Sequence, residues 1–240
     1  MAVIAFDLGG TKLATALFSD TGDVLLNETI QLQQRKGTEV GALIVQQVKH
    51  FREEALKFET TIHAFSICIP GIAYAKTGHV WAPNIPGWEK YPLRKELEGA
   101  LSDSNVAIYI DSDRACYILA EVWKGSARGC SDAIFLNVGT GIGAGILSGG
   151  QVLRGNGDIA GAIGWMSLQH PFDNKYSACG CFEYNASGAG LVRVAKDFMK
   201  EKKFSKSPLY KSAEDDITAK NIFDGYNEND QLSIMVINNA

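Results

Sequence analysis

The chain has 240 residues with 23 basic and 27 acidic side chains, a formal charge of −4, 46% hydrophobic and 21% charged residues. These values exclude disorder, collagen and a coiled coil, and this length buries roughly 70–75% of the unfolded surface without a disulfide or metal staple. A pI near 5.6 without a basic stripe excludes a nucleic-acid footprint, no run reaches the ~20 apolar residues of a membrane span, and no secretory signal opens the chain.

In chain order, residues 3–8 are an apolar run of the buried-strand type, broken by Gly9-Gly10-Thr11. Residues 13–18 resume as a second strand, 19–23 turn, and 24–32 form a third, so two tight connections imply an antiparallel meander. Residues 39–56 show helical periodicity, with Val40, Leu43, Ile44, Val48, Phe51 and Leu56 on one stripe. A strand over 64–69 ends at Pro70-Gly71, and a loop rich in Pro and aromatics covers 81–88. A short helix over 93–101 leads to a strand over 106–110, which ends in Asp111-Ser112-Asp113 before a helix over 114–124. The plan then partly repeats, with a strand over 133–138, a Gly-rich turn over 139–143, a strand over 144–147 and a turn into 152–153.

Residues 155–183 read as loop and 186–199 as helix. A polar loop over 200–216 holds the densest basic run, Lys200, Lys202, Lys203 and Lys206, beside Glu214, Asp215 and Asp216. It reads as a solvated surface. A short helix over 218–226 and a last helix from 229 follow, the latter with an apolar stripe over 232–237 that has no evident partner and marks the chain as part of something longer. Both halves open with strand, Gly-Thr turn, strand. The expected fold is therefore α/β: two similar lobes, each with a mixed sheet flanked by helices, and a ligand cleft between them. The boundary is placed at Asp113, giving an N-terminal lobe over 1–113 and a C-terminal lobe over 114–240. The five cysteines, Cys68, Cys116, Cys130, Cys179 and Cys181, are odd in number and scattered, which fits a reducing cytoplasm.

Three segments can carry chemistry. Asp7 ends a buried strand, two glycines let backbone approach a ligand, and the N–H groups of such a turn can cradle phosphate while the carboxylate can hold Mg²⁺ through water; taken alone, the segment reads equally as an ordinary hairpin turn. Gly139-Thr140-Gly141-Ile142-Gly143 also joins two strands. It is neither a dinucleotide fingerprint, because a strand follows it, nor a Walker A loop, because no Gly-Lys-Ser/Thr closes it. Two such turns at matching places suggest a phosphate gripped from both sides. Asp111-Ser112-Asp113 places carboxylates where one can take a hydroxyl proton during phosphoryl transfer, or cap the following helix, or divide the two tasks.

These segments come in a familiar order. Asp7-Leu-Gly-Gly-Thr-Lys12, Pro70-Gly71, Asn84 within Ala-Pro-Asn-Ile-Pro-Gly-Trp88, Ser112-Asp113, Gly139-Thr-Gly-Ile-Gly-Ala-Gly145, Ala160-Gly-Ala-Ile-Gly164 and Gly180-Cys-Phe-Glu183 resemble the ROK family of sugar kinases and repressors over residues 2 to about 200. The resemblance implies the ribonuclease H-like, actin-like ATPase fold and an ATP-dependent cytoplasmic kinase that makes a sugar phosphate, with Mg²⁺ as cofactor and a homodimer as the usual assembly. It assigns Asp113 as catalytic base. Asp7, Gly9, Gly10, Thr11, Lys12, Gly139, Thr140 and Gly141 fall to the nucleotide phosphates, with Asp7 also the water-mediated Mg²⁺ ligand. Asn84, Asp113 and Glu183 fall to the sugar, and Ser112 and Trp165 stand at sugar-site positions where the chain departs from the family, Trp165 either stacking on an apolar sugar face or filling space.

The chain departs from the family pattern at Ser112, where Asn is usual, and at Gly161-Ala162-Ile163-Gly164-Trp165, where Gly-Glu-Ile-Gly-His is usual. Hydroxyl partners are thereby altered, and a site that hydrogen-bonds a hydroxyl discriminates strongly by it. Asn174 and Tyr176 stand where the family's first two zinc cysteines fall, and Cys179 is out of register. Only Cys181 of that set remains, and Cys179, Cys181 and His170 would need a further ligand, so zinc is not expected. The family also continues past the last residue here, with a Gly-Gly turn that holds adenosine. Two other readings stand beside the kinase: a non-catalytic sugar or nucleotide sensor, and an ATPase acting with a partner protein. A repressor is not expected, since no helix-turn-helix precedes Asp7.

Overall fold

Alternating apolar residues make β1 (Ala2–Leu8) the middle of the first sheet, with Ala2, Ile4, Phe6 and Leu8 buried on its inner face. It pairs antiparallel with β2 (Lys12–Ser19), which pairs antiparallel with β3 (Val24–Gln31), so the expected meander is present. On its other side β1 pairs in parallel with β4 (Ile62–Ile69). After the small hairpin of β5 (Ile72–Ala73) and β6 (Val80–Trp81), β7 (Ala107–Ser112) adds in parallel to β4, for an order β3-β2-β1-β4-β7. This computed structural model describes residues 1–102, 105–201, 204–211 (of Lys211 the backbone alone) and 216–240; Lys202, Lys203, Glu214 and Asp215 of the expected polar loop lie outside the described residues.

Parallel neighbours need crossovers, and helices supply them. Helix α1 (Thr38–Lys57) buries Val40, Leu43, Ile44, Val48, Phe51 and Ala55. Leu56, expected on that stripe, is 73% exposed. At 3.6 residues per turn the position four after Phe51 is Ala55, and Leu56 is carried about 100° round to solvent. Phe51 and Phe65 of β4 meet Phe6 edge-on, at ring separations of 5.8 and 5.1 Å. Helix α2 (Leu93–Ala100) buries Leu93 and Leu97. The aromatic loop before it is fixed in place: Trp88 is fully buried, donates its indole N–H to Gly37 O at 2.9 Å and stacks on Tyr91 at 4.4 Å.

Helix α3 (Asp113–Lys124) starts where β7 stops and packs on β4 and β7. The first compact unit is therefore Met1–Gly125 with Arg154–Ile159, and the division falls after α3 instead of at Asp113.

The second unit, Ser126–Leu153 with Ala160–Ala240, opens on β8 (Ala133–Val138), β9 (Ile142–Ser148) and β10 (Gln151–Val152), a second antiparallel meander. The stretch expected as loop contains 3-10 turns at Asn156–Asp158, Ile163–Trp165 and Asn174–Ala178, then α4 (Cys181–Ala186). The helix expected over 186–199 is α5 (Gly188–Met199), parted from α4 by Ser187. That residue is extended (φ −72°, ψ 163°), and its hydroxyl accepts the Gly190 N–H at 2.9 Å, an N-cap set inside the apolar run. Helices α6 (Ala219–Asn227) and α7 (Gln231–Asn239) open on Thr218 and Asp230 caps. The apolar stripe of α7 does have a partner. Leu232 and Val236 are fully buried with Leu191, Val194 and Ala195 of α5 and Ile222 of α6. Among the described residues no helix is long and apolar enough to cross a membrane.

Candidate active site

In the first unit the end of β1, the tip of its hairpin and the start of α3 converge. The β1–β2 turn is closed by Gly9 N–H on Lys12 O at 2.8 Å. Gly10, Thr11 and Lys12 are exposed at its tip, and Asp7 projects to solvent just before it. Asn84 lies against this turn, since a Cβ on Gly10 would stand 3.1 Å from Asn84 Cβ. Asn84 itself is exposed, while Ile85 and Trp88 behind it are buried.

Asp111, Ser112 and Asp113 take three separate tasks. Asp111 holds Arg154 in a bidentate pair at 2.6 and 2.7 Å, and this partner raises the Arg154 pKa. Ser112, 8% exposed, is the N-cap of α3: its hydroxyl oxygen accepts the Ala115 N–H at 3.3 Å. The cap is thus the serine, and neither acid is needed for it. Asp113 accepts the N–H of Arg114 on Oδ1 at 2.8 Å, and its Oδ2 has no hydrogen bond among the described residues. Burial pushes the Asp113 pKa up. The Arg114 N–H and guanidinium act against that rise, and the Asp7 carboxylate adds to it. Asp7 and Asp113 are therefore near enough to feel one another. Tyr117, one turn along α3, has its hydroxyl pKa raised by burial, then by Asp7 and Asp113.

In the second unit Gly139-Thr140-Gly141 joins β8 to β9, with Gly139 and Thr140 exposed. The loop is held from behind. Gly188 N–H at the start of α5 donates to Gly139 O at 2.8 Å, and Glu183 Oε2 accepts Ile142 N–H at 2.8 Å. The Glu183 carboxylate lies close behind both glycines: a Cβ on Gly141 would stand 2.8 Å from Oε2, and one on Gly164 would stand 2.8 Å from the Ile142 carbonyl oxygen and 2.9 Å from Oε2, so backbone leaves no room for a side chain at Gly164. Trp165 follows Gly164 in its 3-10 turn and is 49% exposed.

Among the described residues no three His, Cys, Asp or Glu side chains gather as a metal cluster. Tyr176 is instead the buried middle of an aromatic group, edge-on to Phe172 and to Tyr184 at 6.3 and 5.3 Å, with the Arg193 guanidinium 4.6 Å over Tyr184. Arg193 also reaches Cys179 Sγ at 3.8 Å, and burial raises the Cys179 pKa.

The first unit thus brings together Asp7, Asp113, Gly10 and Asn84, and the second brings together Gly141, Glu183 and the Trp165 turn. Sequence reasoning missed Arg154, Cys68, Tyr117 and the α5 N-terminus. Arg154 follows a hairpin far along the chain, and no local pattern ties it to Asp111. The Ser187-Gly188 step was a readable capping signal.

Each unit opens on an antiparallel strand-turn-strand meander, the first with a carboxylate near the end of its first strand, as in the actin-like ATPase class, and residues 3–240 match the ROK family, to which the chain belongs. It is similar to the glucokinase of Halalkalibacterium halodurans, 28% identical over 98% of this chain and 71% of the relative. It is also similar to the xylose repressor of Caldicellulosiruptor bescii, 29% identical over 83% of this chain and 50% of the relative. Among solved structures it matches a ROK family glucokinase from Streptomyces griseus in complex with glucose and AMPPNP, at TM-score 0.72 and 26% identity over 98% of this chain and 74% of that one.

Proposed function

We propose that the chain is an ATP-dependent sugar kinase in which Asp113 is the base toward the acceptor hydroxyl. The observation that supports this most is the division of labour at the end of β7. Arg154 occupies Asp111 and the helix occupies Ser112, which leaves Asp113 Oδ2 without a hydrogen bond among the described residues and the Asp113 pKa raised. The acceptor O–H donates to Oδ2. As the oxygen bonds to the γ-phosphorus, the proton passes to Asp113 and the bond to ADP breaks. The Gly9–Lys12 turn and the Gly139–Gly141 turn offer backbone N–H groups to the phosphates. Asn84 and the second oxygen of Glu183 contact sugar hydroxyls, and the exposed face of Trp165 stacks on the apolar face of the ring.

Asp7, a single exposed carboxylate beside a phosphate turn, suits Mg²⁺, which keeps much of its water and takes one or two carboxylates. When bound, the ion neutralises charge on the transferring phosphoryl group.

The test is Mg-ATP-dependent ADP release across hexoses, N-acetylhexosamines and polyols, with Asp113→Asn as control. Release with one sugar, lost in the control, supports the kinase. Nucleotide binding with no release for any sugar supports the sensor, with Ala162 and Trp165 as the altered contacts.

A further inference from the structure

We propose that Arg154 is a positioning residue for the candidate base: by gripping Asp111 it closes a ring of contacts around the first turn of α3 and so sets where the Asp113 carboxylate stands. The proposal rests on the kinase reading for its effect on turnover. Arg154 opens the short segment Arg154–Ile159, which belongs to the first unit. Its guanidinium donates from Nη1 to Asp111 Oδ1 at 2.6 Å and from Nη2 to Asp111 Oδ2 at 2.7 Å. The same Oδ1 accepts the Ser112 N–H at 2.9 Å, and the Ser112 hydroxyl caps α3 by accepting the Ala115 N–H at 3.3 Å. Two hydrogen bonds therefore lead from the arginine to the residue just ahead of Asp113.

The segment has a second tie. Asp158 Oδ2 accepts the Ala75 N–H at 3.4 Å, just past β5. Ahead of β5, the Gly71 carbonyl accepts Nη2 of Arg114, the residue after Asp113, at 3.3 Å. The contacts thus run from Asp111 through Arg154 and Asp158 to the β5–β6 hairpin, and from Gly71 through Arg114 back to α3. Asp7 is held apart from this ring, because the Cys68 S–H of β4 donates to its Oδ1 at 3.3 Å. The arginine fork is the firm link. It meets the carboxylate at two points, which fixes direction as well as distance, and a lysine is a single point charge that cannot reproduce it. The pair is partly exposed, so it adds little to stability and its effect falls on geometry. Without it the Asp111 carboxylate can turn away from the Ser112 N–H, and the first turn of α3 is free to shift. A displacement of about 1 Å at a reacting group costs on the order of 10²-fold in rate.

The experiment measures ADP release by the full chain with the sugar it accepts, below the melting temperature of every variant. It compares the parent with Arg154→Met, Arg154→Lys, Asp111→Asn and the Asp111→Asn/Arg154→Met double variant. In Arg154→Met kcat should fall by roughly 10-fold to 10²-fold while KM for Mg-ATP stays within about twofold, since Asp7 and its turn lie outside the ring. Arg154→Lys should stay near Arg154→Met, and the double variant should lose no more than the worse single variant. Hydrogen exchange over residues 111–116 should be faster in Arg154→Met than in the parent. A parent-like kcat in Arg154→Met, a rise in KM for Mg-ATP as large as the fall in kcat, full recovery in Arg154→Lys, losses that multiply in the double variant, or unchanged exchange would each overturn the proposal. If the parent releases no ADP with any sugar, the kinase reading has failed. The exchange then decides the tie on its own, faster exchange in Arg154→Met keeping it and equal exchange removing it.

Discussion

Asp113 is half-buried in the first turn of α3, with one oxygen on a neighbouring N–H and a pKa lifted by burial. A base works when ionised, so turnover should fall as pH drops through the raised value, placing the acid limb of the kcat profile above the ordinary Asp range of about 3.9. The same shift acts on stability with a definite sign. Between the unfolded and the folded pKa the folded chain binds the extra proton, so stability declines as pH rises through that window. Asp113→Asn should therefore raise Tm at neutral pH, with the gain vanishing as pH falls to the unfolded-state pKa, and should cut turnover by roughly 10²–10⁴-fold. A variant that loses turnover and Tm together would speak for a structural role. Arg154 should behave oppositely. Its bidentate pair with Asp111 is partly exposed (45% and 21%), so Arg154→Met should cost about 1 kcal/mol, or about 2–4 °C in a thermal melt.

Among the elements, the β8–β9 hairpin depends on a carboxylate from α4. Glu183→Gln retains an acceptor for Ile142 N–H and should hold Tm near that of the parent. Glu183→Ala leaves that N–H unpaired and should cost about 1–3 kcal/mol and raise KM for ATP; equal melts for the two variants would remove the hydrogen bond from this role. The longer helices and strands of the first unit were legible because each apolar run had the length and period of one element, as in β1 and α1, whereas the two-residue strands β5 and β6 are too short to show a period. The α4–α5 break carried a signal in the Ser187-Gly188 step, which the helical period read from residue 186 onward overrode; the fully buried Ser187 hydroxyl accepts the Gly190 N–H and opens α5 there. Of the site, the two Gly-Thr turns and Asp113 were readable from motif order. The Asp111–Arg154 pair and the Cys68–Asp7 contact were not, since each joins positions brought together only by sheet register or by a returning loop.

At the scale of the whole molecule the second unit rests on its helices. In the sequence the stripe of α7 has no visible partner because its neighbours, Leu191 and Ile222, precede it on two other helices. Val236→Asp should place a charge at a fully buried position, lose 3 kcal/mol or more, and lower the melting temperature by about 6–12 °C; an unchanged melt would mean that α7 is dispensable to this unit. In the first unit, Trp88 ties the Asn84 loop to the residue just ahead of α1. That tie is made during folding, so a ligand arriving at Asn84 meets a surface already set. Its calorimetric signature should then be a small negative heat-capacity change, scaled to the ligand's own apolar area, with none of the larger change that accompanies the ordering of a loop.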